Sequence, residues 1–258
     1  MPRPRVPHNF IVQRTQRLTD HLIRVHLGGP GFDTFQPNGF TDAYVKLQFP
    51  GPDGDSVRTY TVRSIDPAAR EIAIDFVYHG DEGIAGPWAA AAQPGDPLIM
   101  VGPGGAYSPR PEADRHLLAG DDSALPAIAA ACAALPADAA GRVFVEVGSP
   151  ADEVDFERPA GVVLTWVHRG DAAPGENLVA AVRAEPWPEG RVQVFIHGEA
   201  EAVMHGLRPY IRKERGVPAD LASISGYWRL GRTEEGFRSW KRELADQESA
   251  PVGGRGRS

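Results

Sequence analysis

"RTYTVRS", residues 58–64, is a strand-like run that is polar almost throughout. Successive side chains on a strand point to opposite faces, so Arg58, Tyr60 and Val62 share one face and Thr59, Thr61 and Arg63 the other. A wet sheet edge would tolerate this pattern, with Arg58 and Arg63 in surface ion pairs. The alternative is that the strand holds something large, flat and negatively charged. A guanidinium fork matches phosphate oxygens, and an aromatic face stacks on a planar ring. The strand alone leaves both open.

Its surroundings read as more strands. "FIVQRTQ", "HLIRVHL", "YVKLQF", "EIAIDFVY" and "PLIMV" are short and rich in β-branched and aromatic residues, with "GGPGFD" and "GPDGD" among the turns between them. Six strands at close spacing predict a small antiparallel barrel, interrupted by one short helical stretch at 86–92. From about residue 115 the pattern changes. Apolar strands "HLLA", "RVFVEV", "GVVLTWV", "RVQVFIHG" and "ASIS" alternate with helical stretches at 123–135, 175–185, 199–215 and 233–247. Such alternation predicts a parallel sheet covered on both faces. The first of these helices begins at "GDDS", where Asp121, Asp122 or Ser123 can cap and Pro126 fits the first turn. The last begins at Thr233, with Glu234 and Glu235 at its positive end and Lys241 and Arg242 further along. The expected fold is an N-terminal antiparallel β-barrel over 1–112 followed by a doubly wound α/β domain over 113–248. The Gly-rich tail, 249–258, is expected to be disordered.

Composition narrows the function classes. The chain has 258 residues and a formal charge of -7, which argues against broad binding to nucleic acid or anionic membranes. An anionic ligand would need a local positive site. "SALPAIAAACAALPADAA" is broken by prolines and an aspartate, so it is no membrane helix, and "MPRPRVPHNF" lacks the apolar core of a secretory signal. A lone Cys132 cannot form an internal disulfide, and a cytoplasmic monomer is the expectation. The eight histidines are scattered, without C-x-x-C or H-E-x-x-H, so no protein-bound metal is expected.

Two glycine-rich stretches bear on the opening strand. "DFVYHGDEGIAGPWAA" (75–90) runs from a strand through glycines into a short helix with Pro87 in its first turn. Free N–H groups there could meet an anion, although a proline-initiated helix after a turn is also an ordinary structure. "GPGGAY" (102–107) would let backbone approach a cofactor, or is simply a loop.

Together "VKLQFP", "RTYTVRSID", "DFVYHGDEGIAGPWA", "VGPGGAY", "LLAGDDSALPAI" and "GYWRLGRTEEGFRSWKRE" resemble the siderophore-interacting proteins, in order and approximate spacing, over roughly residues 8 to 245. These are FAD-containing ferric-siderophore reductases of the ferredoxin reductase superfamily. The resemblance implies that Arg58, Thr59, Tyr60, Thr61 and Arg63 hold FAD. The arginine of R-x-Y-[ST] would pair with the pyrophosphate, the tyrosine pack on the isoalloxazine ring, and the hydroxyl residue bond the flavin. His79 and the turn from Gly83 through Gly86, Pro87 and Trp88 would complete the pocket. "AGPW" is shorter than in similar proteins, which usually carry a serine and one further residue before the tryptophan. Backbone contact from Gly86 to Trp88 is therefore implied there. Asp121, Ser123, Ala124 and Leu125 would contact the nicotinamide, with helix capping as the plainer role for Asp121 and Ser123.

For the substrate, the resemblance implies that Lys46 helps bind an iron chelate beside the flavin. Val45 and Leu47 face away from it on the same strand. A solvated lysine on an outer face is the alternative. Arg229 and Arg232 could add positive charge, and Trp228 could pack on flavin or ligand, while Arg232 could instead pair with Glu234 or Glu235. Glu199, in "HGEAEAV", lies on a cofactor-facing strand end or in the first turn of a helix. The expected activity is NAD(P)H-driven, FAD-dependent reduction of a ferric siderophore. Asp152 and Glu153 would favour NADH, whereas Arg169 could meet the 2′-phosphate of NADPH, and ferredoxin is a further candidate donor. A general flavin or quinone reductase, a non-catalytic siderophore-binding protein and a scaffold without cofactor are the rival readings.

Overall fold

A computed structural model describes residues 6–51, 54–232 and 236 of the protein. Six strands form a closed barrel: β1 (Pro7–Thr19), β2 (Leu22–Gly28), β3 (Tyr44–Phe49), β4 (Ser56–Asp66), β5 (Glu71–Val77) and β6 (Pro97–Gly104). Neighbours run antiparallel in the order β1-β2-β5-β4-β3-β6, and β6 closes on β1. Alternation makes this wall. Val45, Leu47 and Phe49 of β3 are buried, while Tyr44, Lys46 and Gln48 turn outward. Phe10, Leu27, Ile74, Phe76 and Met100 fill the interior, each contributing about 1.5–3 kcal/mol by leaving water. Two short helices, α1 (Pro30–Thr34) and α2 (Ala85–Ala91), accompany the barrel, and α2 packs Ala85 and Ala89 into its core.

The second half is a five-stranded parallel sheet in the order β11-β10-β7-β8-β9. Its strands are β7 (Arg115–Asp121), β8 (Ala140–Val147), β9 (Gly161–His168), β10 (Val192–Glu199) and β11 (Ala222–Trp228). Helix α3 (Leu125–Ala133) covers one face. Helix α4 (Glu176–Ala184) and a helical segment in two parts, Glu201–Leu207 and Tyr210–Glu214, cover the other. Every residue of β10 is buried, as a central strand of a doubly covered sheet requires. Strand order reverses between β7 and β10.

Several expectations are corrected in detail. Helix α3 starts at Leu125 rather than 123, and Ala124 at its N-cap makes no side-chain cap. Asp121 and Ser123 are thus not its caps, because Asp121 ends the strand and its carboxylate serves other donors. Strand β10 runs through Glu199, so the helix expected at 199–215 begins later and takes wider turns than an α-helix. The last strand extends past "ASIS" to Trp228. The helix expected at 233–247 and the tail lie outside the described residues. No helix among the described residues is long and apolar enough to cross a membrane.

The halves meet along a seam. Leu22 of the barrel belongs to the apolar cluster around α3. His21 Nδ1 lies 2.6 Å from Asp152 Oδ1. Gln193 ties down the connecting segment, donating to Ser108 O at 3.0 Å and accepting from Arg110 N at 2.7 Å.

Candidate functional site

A cavity of about 810 Å³ opens between the barrel and the C-terminal edge of the sheet. Arg58, Thr59, Tyr60 and Thr61 of β4 line its barrel side, with Lys46 of β3 and His79 after β5. Lys46 stands opposite Thr59 in the β3–β4 register. The Tyr60 ring leans on the fully buried Phe76, with centroids 4.5 Å apart, so its position is set by the barrel core. Thr61 is buried and hydrogen-bonds the Tyr227 side chain of β11, joining the two halves at the cavity floor. Burial keeps the Tyr227 phenol neutral by pushing its pKa upward. Burial, then the nearby His21 and Arg169, pulls His79 below the usual histidine range. Ser123, Trp228, Arg229 and Arg232 line the sheet side.

The remaining expected residues lie off this lining. A β-bulge between Val62 and Ser64 interrupts the strand at Arg63, which is half-buried and whose guanidinium pKa burial lowers. Trp88 packs on Phe49 and Phe76, with centroids at 5.5 and 5.6 Å, as part of the barrel wall. Gly86 and Pro87 sit beside it in α2, and a Cβ on Gly86 would come within 3.0 Å of Val77 O. Asp121 and Ala124 are buried, and Leu125 borders a second, smaller cavity. The glycines of "GPGGAY" divide. A Cβ on Gly104 would lie 2.4 Å from the Tyr44 ring, so this glycine lets the barrel close on itself, whereas Gly105 and Ala106 reach the large cavity.

Two buried carboxylates build the sheet edge. Asp121 accepts hydrogen bonds from Ser123 N (3.0 Å), Ser123 Oγ (2.5 Å), Glu199 N (2.8 Å) and Trp228 Nε1 (2.7 Å). Burial pushes its carboxyl up in pKa, and those four bonds pull the other way. Glu199 accepts from Glu201 N, Ala202 N and Leu230 N. Arg229 forms an ion pair with Glu201 at 2.7 Å. The end of β11 at Trp228 and the loop after it, with Arg229 and Arg232, are therefore moored to the ends of β7 and β10.

Sequence reasoning missed several lining residues. Asp42 accepts from Ala106 N and Tyr107 N, both at 2.9 Å, and so fixes the loop after β6. His197 of β10 stacks on Phe195 at 4.1 Å, with Nε2 2.9 Å from Ser223 Oγ. Asp122 is pushed up to about 7 by burial and by Asp121, against the pull of Arg169. The doubled acid in "GDDS" was the available signal for Asp122. Asp42, far away in sequence, gave none. Asp75 also reaches the cavity, but Arg24 holds it bidentately at 2.6 and 2.8 Å. Lys46, Arg58, Arg169, Arg229 and Arg232 line the cavity together with Asp42, Asp75 and Asp122, with Arg229 paired to Glu201 and Arg169 to Glu146. Among the described residues no group of three or more His, Cys, Asp or Glu is placed to hold a metal ion.

Comparisons with known proteins agree with this architecture. The family model for the siderophore-interacting FAD-binding domain matches residues 11–57 and 53–107, and that for siderophore-interacting protein matches 113–231. An uncharacterized protein of Mycobacterium tuberculosis is 54% identical, over 94% of this chain and 97% of its own length. The ferric vibriobactin reductase ViuB of Vibrio cholerae is 32% identical, over 91% and 94%. A crystal structure of a siderophore utilization protein from T. fusca superposes with a TM-score of 0.81 at 38% identity, covering 89% of this chain and 95% of that one.

Proposed function

The chain belongs to the siderophore-interacting proteins, and from that premise we propose that it is a flavin oxidoreductase that reduces ferric siderophore to release iron. FAD is its cofactor and a nicotinamide dinucleotide its electron donor. One observation carries the proposal. The polar run Arg58–Thr61 of β4, the C-terminal edge of the sheet and the cations Lys46, Arg229 and Arg232 all border the same cavity.

The residues present fit a flavin dinucleotide. Arg58 offers a planar cation to a pyrophosphate, Tyr60 an aromatic wall, and Thr59 and Thr61 hydroxyls for ring heteroatoms. The backbone of Gly105 and Ala106 supports a flat ligand from the far side. When bound, FAD supplies the exchange between two-electron donors and one-electron acceptors. The chain binds, orients and excludes water. Thr61 is buried and Tyr227 partly buried where the two halves meet at the cavity, and the neutral phenol puts no charge beside the ring. Lys46, Arg229 and Arg232 attract an anionic iron chelate against the overall negative field. Iron is substrate here, held by its chelator and let go because oxygen chelators grip the ferrous ion far less tightly than the ferric ion.

An anaerobic absorbance trace tests the proposal. Protein loaded with FAD is reduced with NADH or NADPH, and a ferric siderophore is then added with a ferrous trap. Bleaching, followed by recovery of the flavin bands as ferrous iron appears, is the expected course. Arg58→Ala should weaken FAD retention, by roughly tenfold or more for one charge-assisted contact. Lys46→Ala should hold FAD as tightly as wild type yet reoxidise several-fold more slowly with chelate. A protein that binds chelate but never turns over, or flavin reoxidised by quinones and not by chelates, would sink the proposal. Reduction by ferredoxin and not by either dinucleotide would replace the donor.

A further inference from the structure

Three aspartates line the large cavity, and they are held very differently. Asp42 accepts two backbone N–H groups, and Asp75 is gripped bidentately by Arg24. Asp122 has looser company. Arg169 Nη2 stands 3.7 Å from its Oδ2, an ion pair without a hydrogen bond. The same guanidinium donates instead to the fully buried Glu146, from Nε at 3.0 Å. A carboxylate tied by several donors keeps its charge, whereas one that shares a single cation in a partly buried place takes a proton readily. Asp122 is also open to a second space, a cavity of about 160 Å³ that it borders together with His79 and Arg169. The far walls of that cavity include His21 and Asp152, with His21 Nδ1 2.6 Å from Asp152 Oδ1 and His21 exposed at the surface. A space of this size holds several water molecules, and these polar walls can bind them. Protons thus have a path between Asp122 and solvent that does not cross the large cavity.

Reduction of a flavin above neutral pH adds two electrons and one proton, so the ring gains a negative charge. At an effective dielectric of about 20, a like charge about 8 Å away raises a carboxyl's proton affinity roughly tenfold or more, so direct contact is not needed. The neighbours of Asp122 leave it responsive to such a charge. Burial and Asp121 on the same strand end favour its protonated form, as does Glu146 of β8, while Arg169 after β9 opposes them. His79, after β5, stands at the junction of the two spaces, and His21 and Asp152 face it across the small one. Arg58, Arg229 and Arg232 share the large cavity with it. Glu146 itself accepts from Gly175 N and Leu178 N at the start of α4, which fixes the Arg169 side of this balance.

We propose that Asp122 is the redox-linked proton carrier of the site: its carboxylate takes up a proton when bound FAD is reduced, releases it when the electrons leave, and exchanges it with solvent through the small cavity. The proposal rests on the reductase function above and adds its proton traffic. In each cycle the donor supplies two electrons and one proton to the cofactor, and solvent supplies a second proton to Asp122. Two ferric ions then take one electron each, and both protons return to solvent. Potentiometric titration of the FAD-loaded full chain tests this without turnover, because the slope of the midpoint potential against pH counts the protons taken up per FAD reduced. Between about pH 7 and 8.5 wild type should take up close to two, and Asp122→Asn close to one. Asp122→Glu should restore the second proton, and His79→Gln should keep the wild-type count. A purely structural role for Asp122 leaves that count unmoved, and melting curves with FAD retention establish that each variant is folded. The proposal is overturned if wild type takes up a single proton across this window, if Asp122→Asn still takes up two, or if the second proton is lost in His79→Gln. If the count fails while a ferric chelate still reoxidises the flavin, the carrier fails and the reductase stands. If the count holds but no chelate is reduced, the carrier stands and the reductase fails. A chain that binds no FAD overturns both.

Discussion

Asp122 shows how one side chain couples the site to stability. Its carboxyl titrates near 7 in the folded protein, against an ordinary value of 3.8, because burial and Asp121 disfavour its charge. Between about pH 4 and 7 the native state therefore holds a proton that the unfolded chain has released, and stability falls as pH rises through that window. Asp122→Asn keeps the shape and removes the titration. Melting temperatures should then coincide with wild type near pH 3, below both values, and exceed it at pH 8. Parallel profiles for the two proteins would show that Asp122 is not the titrating group. That Arg58, Tyr60, Thr61 and Lys46 lie on strands that border one cavity was foreshadowed by residue type and by the resemblance. The environment of Asp122 was not, since the burial that raises its pKa and the Arg169 charge that opposes it come from segments remote in sequence.

At the scale of elements, the sheet edge hangs on hydrogen bonds between segments remote in sequence. Trp228 Nε1 donates to Asp121 across 107 positions. Trp228→Phe keeps an aromatic ring but leaves the buried carboxylate one donor short, at a cost of about 1–3 kcal/mol. A lower urea midpoint with an unchanged slope is the expected result, and an unshifted midpoint would show that the bond carries no weight. Strands were read well because alternation and β-branched runs are local signals. Helix starts were read less well. Asp121 and Ser123 have the composition of a cap, but a strand end that must hold Glu199 and Trp228 claims the carboxylate first. The wide turns of 201–214 were illegible for a similar reason. A Cβ on Gly206 would approach Val179 of α4 to 2.8 Å, so packing against a neighbouring helix shapes this segment.

For the whole molecule, FAD is expected to straddle a seam whose ties include His21 with Asp152, Thr61 with Tyr227, and Leu18, Leu22 and Val77 against the α3 cluster. A ligand bound across such a seam stabilises the native state by mass action, by about 2.7 kcal/mol at a free concentration one hundred times its Kd. Removing FAD should therefore lower the melting temperature by several degrees, and adding it back should restore the loss in proportion to the logarithm of its concentration. A melting temperature indifferent to saturating flavin would place the binding site away from the seam.

The order of barrel and doubly wound sheet and the polar run of β4 were determined by sequence alone, because alternation, turn chemistry and side-chain charge act over a few residues. Tertiary structure decided the rest. It set Arg63 and Trp88 apart from the cavity and made Asp121 and Glu199 into moorings. It also brought His21, Asp152 and Arg169 together around a space that no local stretch encodes. Those outcomes depend on which distant groups share a low-dielectric interior, where every buried donor and charge must find a partner that only the folded chain can supply.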